Sequence, residues 1–306
     1  MKRLGWLAAA VVLVGGPARA AGPAPTADVE TRTWARRVIP LPHEFACRGV
    51  AKVAAAQVAI ALRAGAGEIE AEAARDLHEG LPTATSQPAA GTRFTVVLGV
   101  LDGEGKLLGR PVKGAARLRD LPHRTQAYVI EPAGGDGLLL AALDEVGVLY
   151  AAQTLRQLIT PGPGAAEVTI PLVEVADWPD LDERGVWNHP DVAVWLRWMS
   201  QVKLNYSNHA PDVALEPVER GQPARARLSV QGLAEARRRG FRLVPQITHL
   251  NFLHTVGLFR AYPELAGRGD RALAGYYHAH RFSPDMHRVP NPGDPKLVEI
   301  LSDWMI

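Results

Sequence analysis

The stretch from Val146 to Ile159, VGVLYAAQTLRQLI, decides how the rest of the chain is read. Val146, Leu149, Tyr150, Leu155, Leu158 and Ile159 recur at helical spacing, so one face is apolar and must be buried. Pro161 to Gly164 ends the helix. The segments on either side have a different period. Phe94 to Leu101 (FTVVLGVL) is β-branched and apolar, Gln126 to Glu131 alternates, Leu138 to Leu143 is a short apolar run, and Val168 to Val175 reads as a further strand. Asp102-Gly103 and the Gly134–Gly137 run are turns, and residues 80–91 form a loop. Glu44 to about Ala74 is Ala-rich and is predicted as helix. Residues 21–29, rich in Ala, Pro and Gly, read as a leader. Together these give a small mixed α/β domain, closed at Asp177-Trp178-Pro179-Asp180.

Beyond Asp180 strand and helix alternate. Arg184–Trp187, Leu204–Ser207 and Phe241–Ile247 are strand candidates. Val192–Val202 and Leu228–Arg239 are helix candidates, and a further helix starts at Pro295. The first of these helices carries Val194, Trp195, Trp198, Met199 and Val202 on one stripe, which places both tryptophans in the core. The second ends in Arg237, Arg238 and Arg239, which suits the negative end of the helix dipole. Short links between alternating strands and helices predict a parallel sheet. Three βα units can be counted, the third with a long loop from Thr248 to Asp294. An eight-fold barrel needs about 250 residues, whereas about 125 follow Asp180. The fold expected is α/β: a small α/β sandwich-type N-terminal domain (21–176) followed by an incomplete (β/α)8 TIM barrel (177–306).

The N-terminus has its own logic. Lys2 and Arg3 precede an apolar run from Leu4 to Val14, too short to span a bilayer, and Ala18-Arg19-Ala20 supplies small residues at a cleavage site. This is the order of a signal peptide over residues 1–20. It predicts a secreted or periplasmic protein with no stable membrane insertion after cleavage. Losing Lys2, Arg3 and Arg19 takes the basic count from 34 to 31, against 32 acidic residues. A near-neutral mature chain gives no electrostatic case for nucleic acid. Cys47 is the single cysteine, so no internal disulfide can form.

Four motifs then fall in one order. Asp144 to Ile159 resembles the "G-x-x-Y-A-x-Q-T-L-x-Q-L" helix of the family 20 glycoside hydrolases, the β-N-acetylhexosaminidases. Asp177-Trp178-Pro179-Asp180 with Arg184-Gly185 resembles that family's entry into its catalytic barrel. Lys203-Leu204-Asn205 resembles the "K-x-N" that ends the first barrel helix, and Tyr262-Pro263-Glu264-Leu265 resembles a "Y-P-E-L" after the third strand. Val186-Trp187-Asn188-His189 stands where the family usually has an Asp, and Pro245-Gln246-Ile247-Thr248-His249 lacks the usual Pro-Gly-His. Tyr206 to Asp212 has some likeness to the "Y-A-P-K-D-D" of family 84.

The resemblance implies substrate-assisted hydrolysis of terminal N-acetylhexosamine. The substrate's 2-acetamido oxygen would attack the anomeric carbon while a carboxylate pair orients the acetamide and protonates the leaving oxygen. In the family that pair ends the fourth barrel strand, expected beyond Ile306, so no catalytic residue is assigned and the 306-residue chain is expected to be truncated and inactive. The resemblance makes Arg184 a ligand of sugar hydroxyls, for which a guanidinium fork is suited. The alternative for it is an ion pair with Asp182 or Glu183 at the domain boundary. His209 and Asp212 after strand two, and His249 and His254 after strand three, are the other substrate-binding candidates, because barrel sites lie at the C-terminal ends of strands. His278 and His280, with Asp285 and His287, share one loop and read as a solvated run rather than a metal site. No cofactor is implied. The partner implied is an N-acetylhexosamine-containing carbohydrate, and the rival reading is a non-catalytic carbohydrate-binding remnant.

Overall fold

A computed structural model describes residues 27–162, 166–187, 192–208, 213–223, 225–228, 230–243, 253, 256–267 and 289–303. The chain opens with helix α1 (Ala27–Ala35), strand β1 (Glu44–Ala54), a 3-10 turn, strand β2 (Val58–Leu62) and helix α2 (Glu68–Gly80). Strand β3 (Phe94–Val100) is followed by the short β4 (Lys106–Leu107), β5 (Arg110–Pro111) and α3 (Ala115–Leu118). Then come β6 (Tyr128–Pro132), β7 (Gly137–Ala142), α4 (Glu145–Leu158), β8 (Thr160–Pro161) and β9 (Glu167–Asp177). Six of these strands form one mixed sheet in the order β1-β9-β6-β7-β3-β2, with β8 paired to β9. β2, β3 and β7 run parallel, and β6, β9 and β1 extend the sheet antiparallel.

One face of this sheet is covered by α1, α2 and α4. Val148, Leu149, Leu155 and Leu158 of α4 are fully buried against Ile60, Phe94, Leu98, Ile130, Leu140 and Val173. Asp144 caps α4 by accepting from the Val146 N–H at 3.2 Å, as an N-cap carboxylate should. Gly147 lets the helix approach closely, for a Cβ there would sit 2.5 Å from the Ala127 carbonyl oxygen. α3 covers part of the other face, over Val97, Val129 and Leu139.

The second part contains β10 (Gly185–Trp187), α5 (Val192–Gln201), β11 (Tyr206–Asn208), a hairpin of β12 (Val213–Leu215) and β13 (Ala226–Leu228), α6 (Val230–Arg238) and β14 (Arg242–Leu243). These are followed by α7 (Leu258–Ala261), a 3-10 turn (Pro263–Leu265) and α8 (Pro295–Asp303). β10, β11 and β14 form a parallel three-stranded sheet in that order. Leu196 and Met199 of α5 pack with Ala236 of α6 and Phe241.

Several expectations need correction. The predicted helix over 44–74 is two strands before α2 begins. Alanine favours helix, but β1 is held by the ladder to β9, and its alternation is hidden by a bulge between Cys47 and Val50 where Gly49 takes φ 153°. The leader stops sooner than predicted, because α1 starts at Ala27 and Trp34 packs into the core. The helix predicted from Leu228 starts at Val230, and Ala226–Leu228 is a hairpin strand. Trp198 is 48 % exposed instead of buried, with Trp195 meeting it edge-on. The loop predicted from Thr248 to Asp294 includes α7 and the 3-10 turn.

Gly185 supports a local test. A Cβ there would lie 2.2 Å from the Tyr206 carbonyl oxygen, within the β10–β11 ladder. Gly185→Ala is expected to destabilise the chain by about 1–3 kcal/mol, the usual cost of forcing an atom into packed structure. Gly103→Ala, with nothing within 4 Å of its Cβ, should leave the melting curve unchanged. Thermal unfolding of the two variants checks this.

Candidate functional site

Several polar residues of α4 turn toward the seam between the two sheets, while Glu145 accepts from the Ile69 N–H and Arg156 pairs with Glu79, both of α2. Thr154 hydrogen-bonds Tyr128 at 2.6 Å, and the Tyr128 hydroxyl donates to Asp177 Oδ2 at 2.8 Å. Lys203 reaches the same two groups, its Nζ lying 2.7 Å from Tyr128 Oη and 3.0 Å from Asp177 Oδ2. Both ions are buried. Burial works against the Asp177 carboxylate, but the Lys203 charge together with hydrogen bonds from Lys203, Tyr128 and His43 outweighs it and holds the carboxyl below its ordinary range. Burial pulls the Lys203 ammonium down from its usual value despite Asp177, and it pushes the Tyr128 phenol well up.

The backbone at Lys203 is unusual. Leu204 N–H donates to Met199 O and Lys203 N–H to Ser200 O, the bond pair of a Schellman cap on α5. The capping residue must then be left-handed, and Lys203 has φ 62°. α6 ends in the same way, with Phe241 bonded to Ala236 and Gly240 to Arg237, but there the left-handed residue is Gly240 at φ 63°. A lysine thus occupies a glycine position, a conformation that costs of order 1–3 kcal/mol. Its ammonium is what the position uses.

Arg184 closes the seam from the other side. Its guanidinium donates to the carbonyls of Leu181, Asp182 and Lys203, to Gln126 Oε1 at 2.9 Å and to Tyr150 Oη at 3.1 Å. Every guanidinium nitrogen therefore meets a protein acceptor. Tyr150, buried beneath it, has its phenol pushed up to about 12, mostly by burial. Asn205 binds the Arg184 N–H at 2.8 Å and donates to Gln126 and to the Asp182 carbonyl. Arg184 precedes β10, so it lies at the N-terminal end of the parallel strands, away from the end where barrel sites are built. Its contacts match the boundary role weighed for it, though through carbonyls, Gln126 and Tyr150 instead of the carboxylates of Asp182 or Glu183. Those carboxylates pair with Arg242 at 3.1 and 3.0 Å.

A second cluster ties α6 to α2. Arg239 is buried and meets Glu72 at 2.6 Å, Asp76 at 3.2 Å and Glu235 at 2.6 Å, while Gln153 of α4 also donates to Asp76. Sequence reasoning read Arg239 only as a dipole-compensating end. Gln126, Tyr128 and Asn205 were also missed as structural partners. Lys203, Asn205 and Asp177 did stand inside quoted motifs, which was the one signal available.

His209, Asp212, His249 and His254 lie outside the described residues, as do His278, His280, Asp285 and His287. Among the described residues no group of three or more His, Cys, Asp or Glu side chains is set to hold a metal. Glu264, within the Tyr262–Leu265 motif, is exposed and paired with Arg220. A hydrogen bond from its own backbone N–H and the Arg220 charge hold its carboxyl below the usual value, the wrong direction for a general acid near neutral pH.

Residues 35–178 match the family model described as glycosyl hydrolase family 20, domain 2. The chain is family 20-like. The exo-β-N-acetylglucosaminidase of Vibrio harveyi, solved with N-acetylglucosamine, superposes with a TM-score of 0.57 at 14% identity over 88% of this chain and 44% of that one. The Flavobacterium johnsoniae chitobiase gives 0.55 at 18% identity, over 87% and 42%. A further family 20 β-N-acetylglucosaminidase gives 0.51 at 18%, over 83% and 51%. At these identities the likeness is one of fold. The chain spans about half or less of the length of these relatives. No curated protein matches it in sequence. No helix among the described residues is long and apolar enough to cross a membrane.

The Asp177–Lys203 pair gives a prediction. Asp177→Ala leaves Lys203 buried without a counter-charge and is expected to cost roughly 3–5 kcal/mol in urea unfolding. Adding Lys203→Met should restore most of that. Because the folded carboxyl is depressed, its contribution is complete above the unfolded value of about 3.9 and is lost as pH falls through the lower folded value. The gap between wild type and Asp177→Ala should therefore narrow below about pH 4.

Proposed function

We propose that this chain carries the small domain (21–176) and the first βα units of the catalytic barrel (177–306) of an exported β-N-acetylhexosaminidase-type glycoside hydrolase, acting on terminal N-acetylhexosamine with the substrate's own acetamide as nucleophile. The observation that carries this reading is an order. The family 20 domain-2 match at 35–178 runs directly into three parallel strands, β10, β11 and β14, with α5 and α6 between them. The structural likeness covers 88% of the chain, more than the matched domain alone. Substrate would meet the C-terminal ends of these strands, at positions that include His209, Asp212, His249 and His254. Arg184 would serve there only by leaving its present partners.

Two outcomes test the proposal. Release of nitrophenol from an aryl N-acetyl-β-glucosaminide and from the matching β-glucoside should be compared for the 306-residue chain and for the longest form in which its gene is expressed. The long form should cleave only the acetamide-bearing substrate. The 306-residue chain should be slower by at least about 10²-fold, the low end of what positioned proton transfer contributes. Equal cleavage of both substrates, or none by the long form, would overturn the reading. For export, N-terminal sequencing of the protein from the extracytoplasmic fraction should begin at Ala21; retention of Met1 on a membrane-bound product would show an anchor instead.

A further inference from the structure

His43 stands where the chain between α1 and β1 crosses the seam. Its Nδ1 lies 3.1 Å from Asp177 Oδ1 and its Nε2 3.2 Å from Asp180 Oδ1, while its backbone N–H donates to Asp177 Oδ1 at 3.2 Å. The ring stacks on Trp178 with centroids 4.0 Å apart and planes 12° from parallel. One imidazole thus holds the segment that leaves the sheet and enters the parallel unit, gripping it at residues 177, 178 and 180.

The chemistry of the ring gives this grip two states. A neutral imidazole has one N–H and can donate to only one of the two carboxylates; the other then faces a lone pair. A protonated imidazole donates to both. We propose that His43 is a pH-operated latch on the linker between the sheet domain and the parallel unit, doubly bonded to Asp177 and Asp180 in acid and singly bonded above its titration.

The surrounding charges permit this. Asp177, at the end of β9, presents Oδ1 to His43 and Oδ2 to Lys203 and to Tyr128 of β6, so the lysine does not occupy the oxygen that His43 uses. Asp180 is exposed on the linker. Tyr150 of α4 and Arg184 before β10 line the same cavity, of about 200 Å³, and are bonded to each other. Behind Trp178 the Arg117 guanidinium of α3 lies 5.9 Å from the indole and is paired with Glu44 of β1. Burial pulls the His43 value down, but hydrogen bonds and charge from Asp177 and Asp180 outweigh it and hold it above the ordinary 6.5. A group with a raised folded value stabilises fully below the unfolded value and loses that contribution as pH rises through the folded one. The latch is therefore closed in mild acid and opens above pH 6.5.

Hydrogen exchange of amides in 38–44 and 177–184, corrected for intrinsic rates, tests this at pH 5.5 and 8.5 alongside an NMR titration of His43. In the wild-type chain His43 should titrate above 6.5, and protection of both segments should fall about 2- to 10-fold on going to pH 8.5, the scale of one hydrogen bond. In His43→Gln the dependence should vanish. Asp180→Asn, an exposed change that leaves the core intact, should lower the His43 titration and shrink the dependence. Protection that does not change through the His43 titration, or an undiminished dependence in either variant, would overturn the proposal.

Discussion

A lysine ammonium placed in a protein interior has to find an anion, and Lys203 finds Asp177. The rest of the second unit depends on that pair. The ammonium reaches Asp177 only because α5 ends in a Schellman cap whose left-handed residue is Lys203 itself. The same turn presents the Lys203 carbonyl to two donors of Arg184. Arg184 then carries the start of β10, and its backbone carbonyl accepts from Asn205 and Tyr206 to set the register of β11. A strained backbone position, a buried ion pair and the entry to a parallel sheet are one connected arrangement. It accounts for a non-glycine residue where α6 uses Gly240.

The motif letters of α4 acquire a physical meaning in this light. In the stretch from Gly147 to Leu158 the apolar letters face the first sheet and several polar ones face the seam. Tyr150 accepts from Arg184, Gln153 donates to Asp76 beside Arg239, and Thr154 bonds Tyr128 above Lys203. Gln157 exchanges hydrogen bonds with Ile39 and donates to the Gln201 carbonyl. Buried polar groups on one side of a helix need partners, and here they come from chain segments as much as 118 residues away. The helix packs on the first sheet by its hydrophobic face and reaches the second unit through Tyr150, bonded to Arg184, and Gln157, bonded to the Gln201 carbonyl.

Where sequence reasoning succeeded, local period was enough. β3, β6, β7 and β9 and the helices α4 and α5 lie within two residues or so of where alternation and helical spacing put them, because each buries a face dictated by its own residues. It failed where a long-range partner overrides local preference. β1 is Ala-rich and bulged, and only its ladder to β9 makes it a strand. Trp198 sits at a core-like spacing but is half exposed, with Trp195 meeting it edge-on. The seam was the hardest part to read. Asp177, Lys203, Asn205 and Arg239 are distant in sequence, and no spacing rule brings Arg239 to Glu72. Arg184 was singled out as a sugar ligand by the resemblance; in the structure its guanidinium meets carbonyls, Gln126 and Tyr150.

That position divides the family likeness into two parts. The matching residues Tyr150, Gln153, Thr154, Asp177, Arg184, Gly185, Lys203 and Asn205 lie at the seam or at the N-terminal ends of the parallel strands. Of the departures, Val186 and Trp187 lie within β10, while Asn188, His189, residues 209–212 and residues 245–249 lie outside the described residues. In a parallel βα array the N-terminal ends and the helices behind them hold the fold together, while the C-terminal ends meet the ligand. Three of the four matching motifs therefore fall in the scaffold, while Tyr262-Pro263-Glu264-Leu265 follows the third strand. A chain built this way joins its sheet domain to its parallel unit through a buried, extensively hydrogen-bonded polar seam.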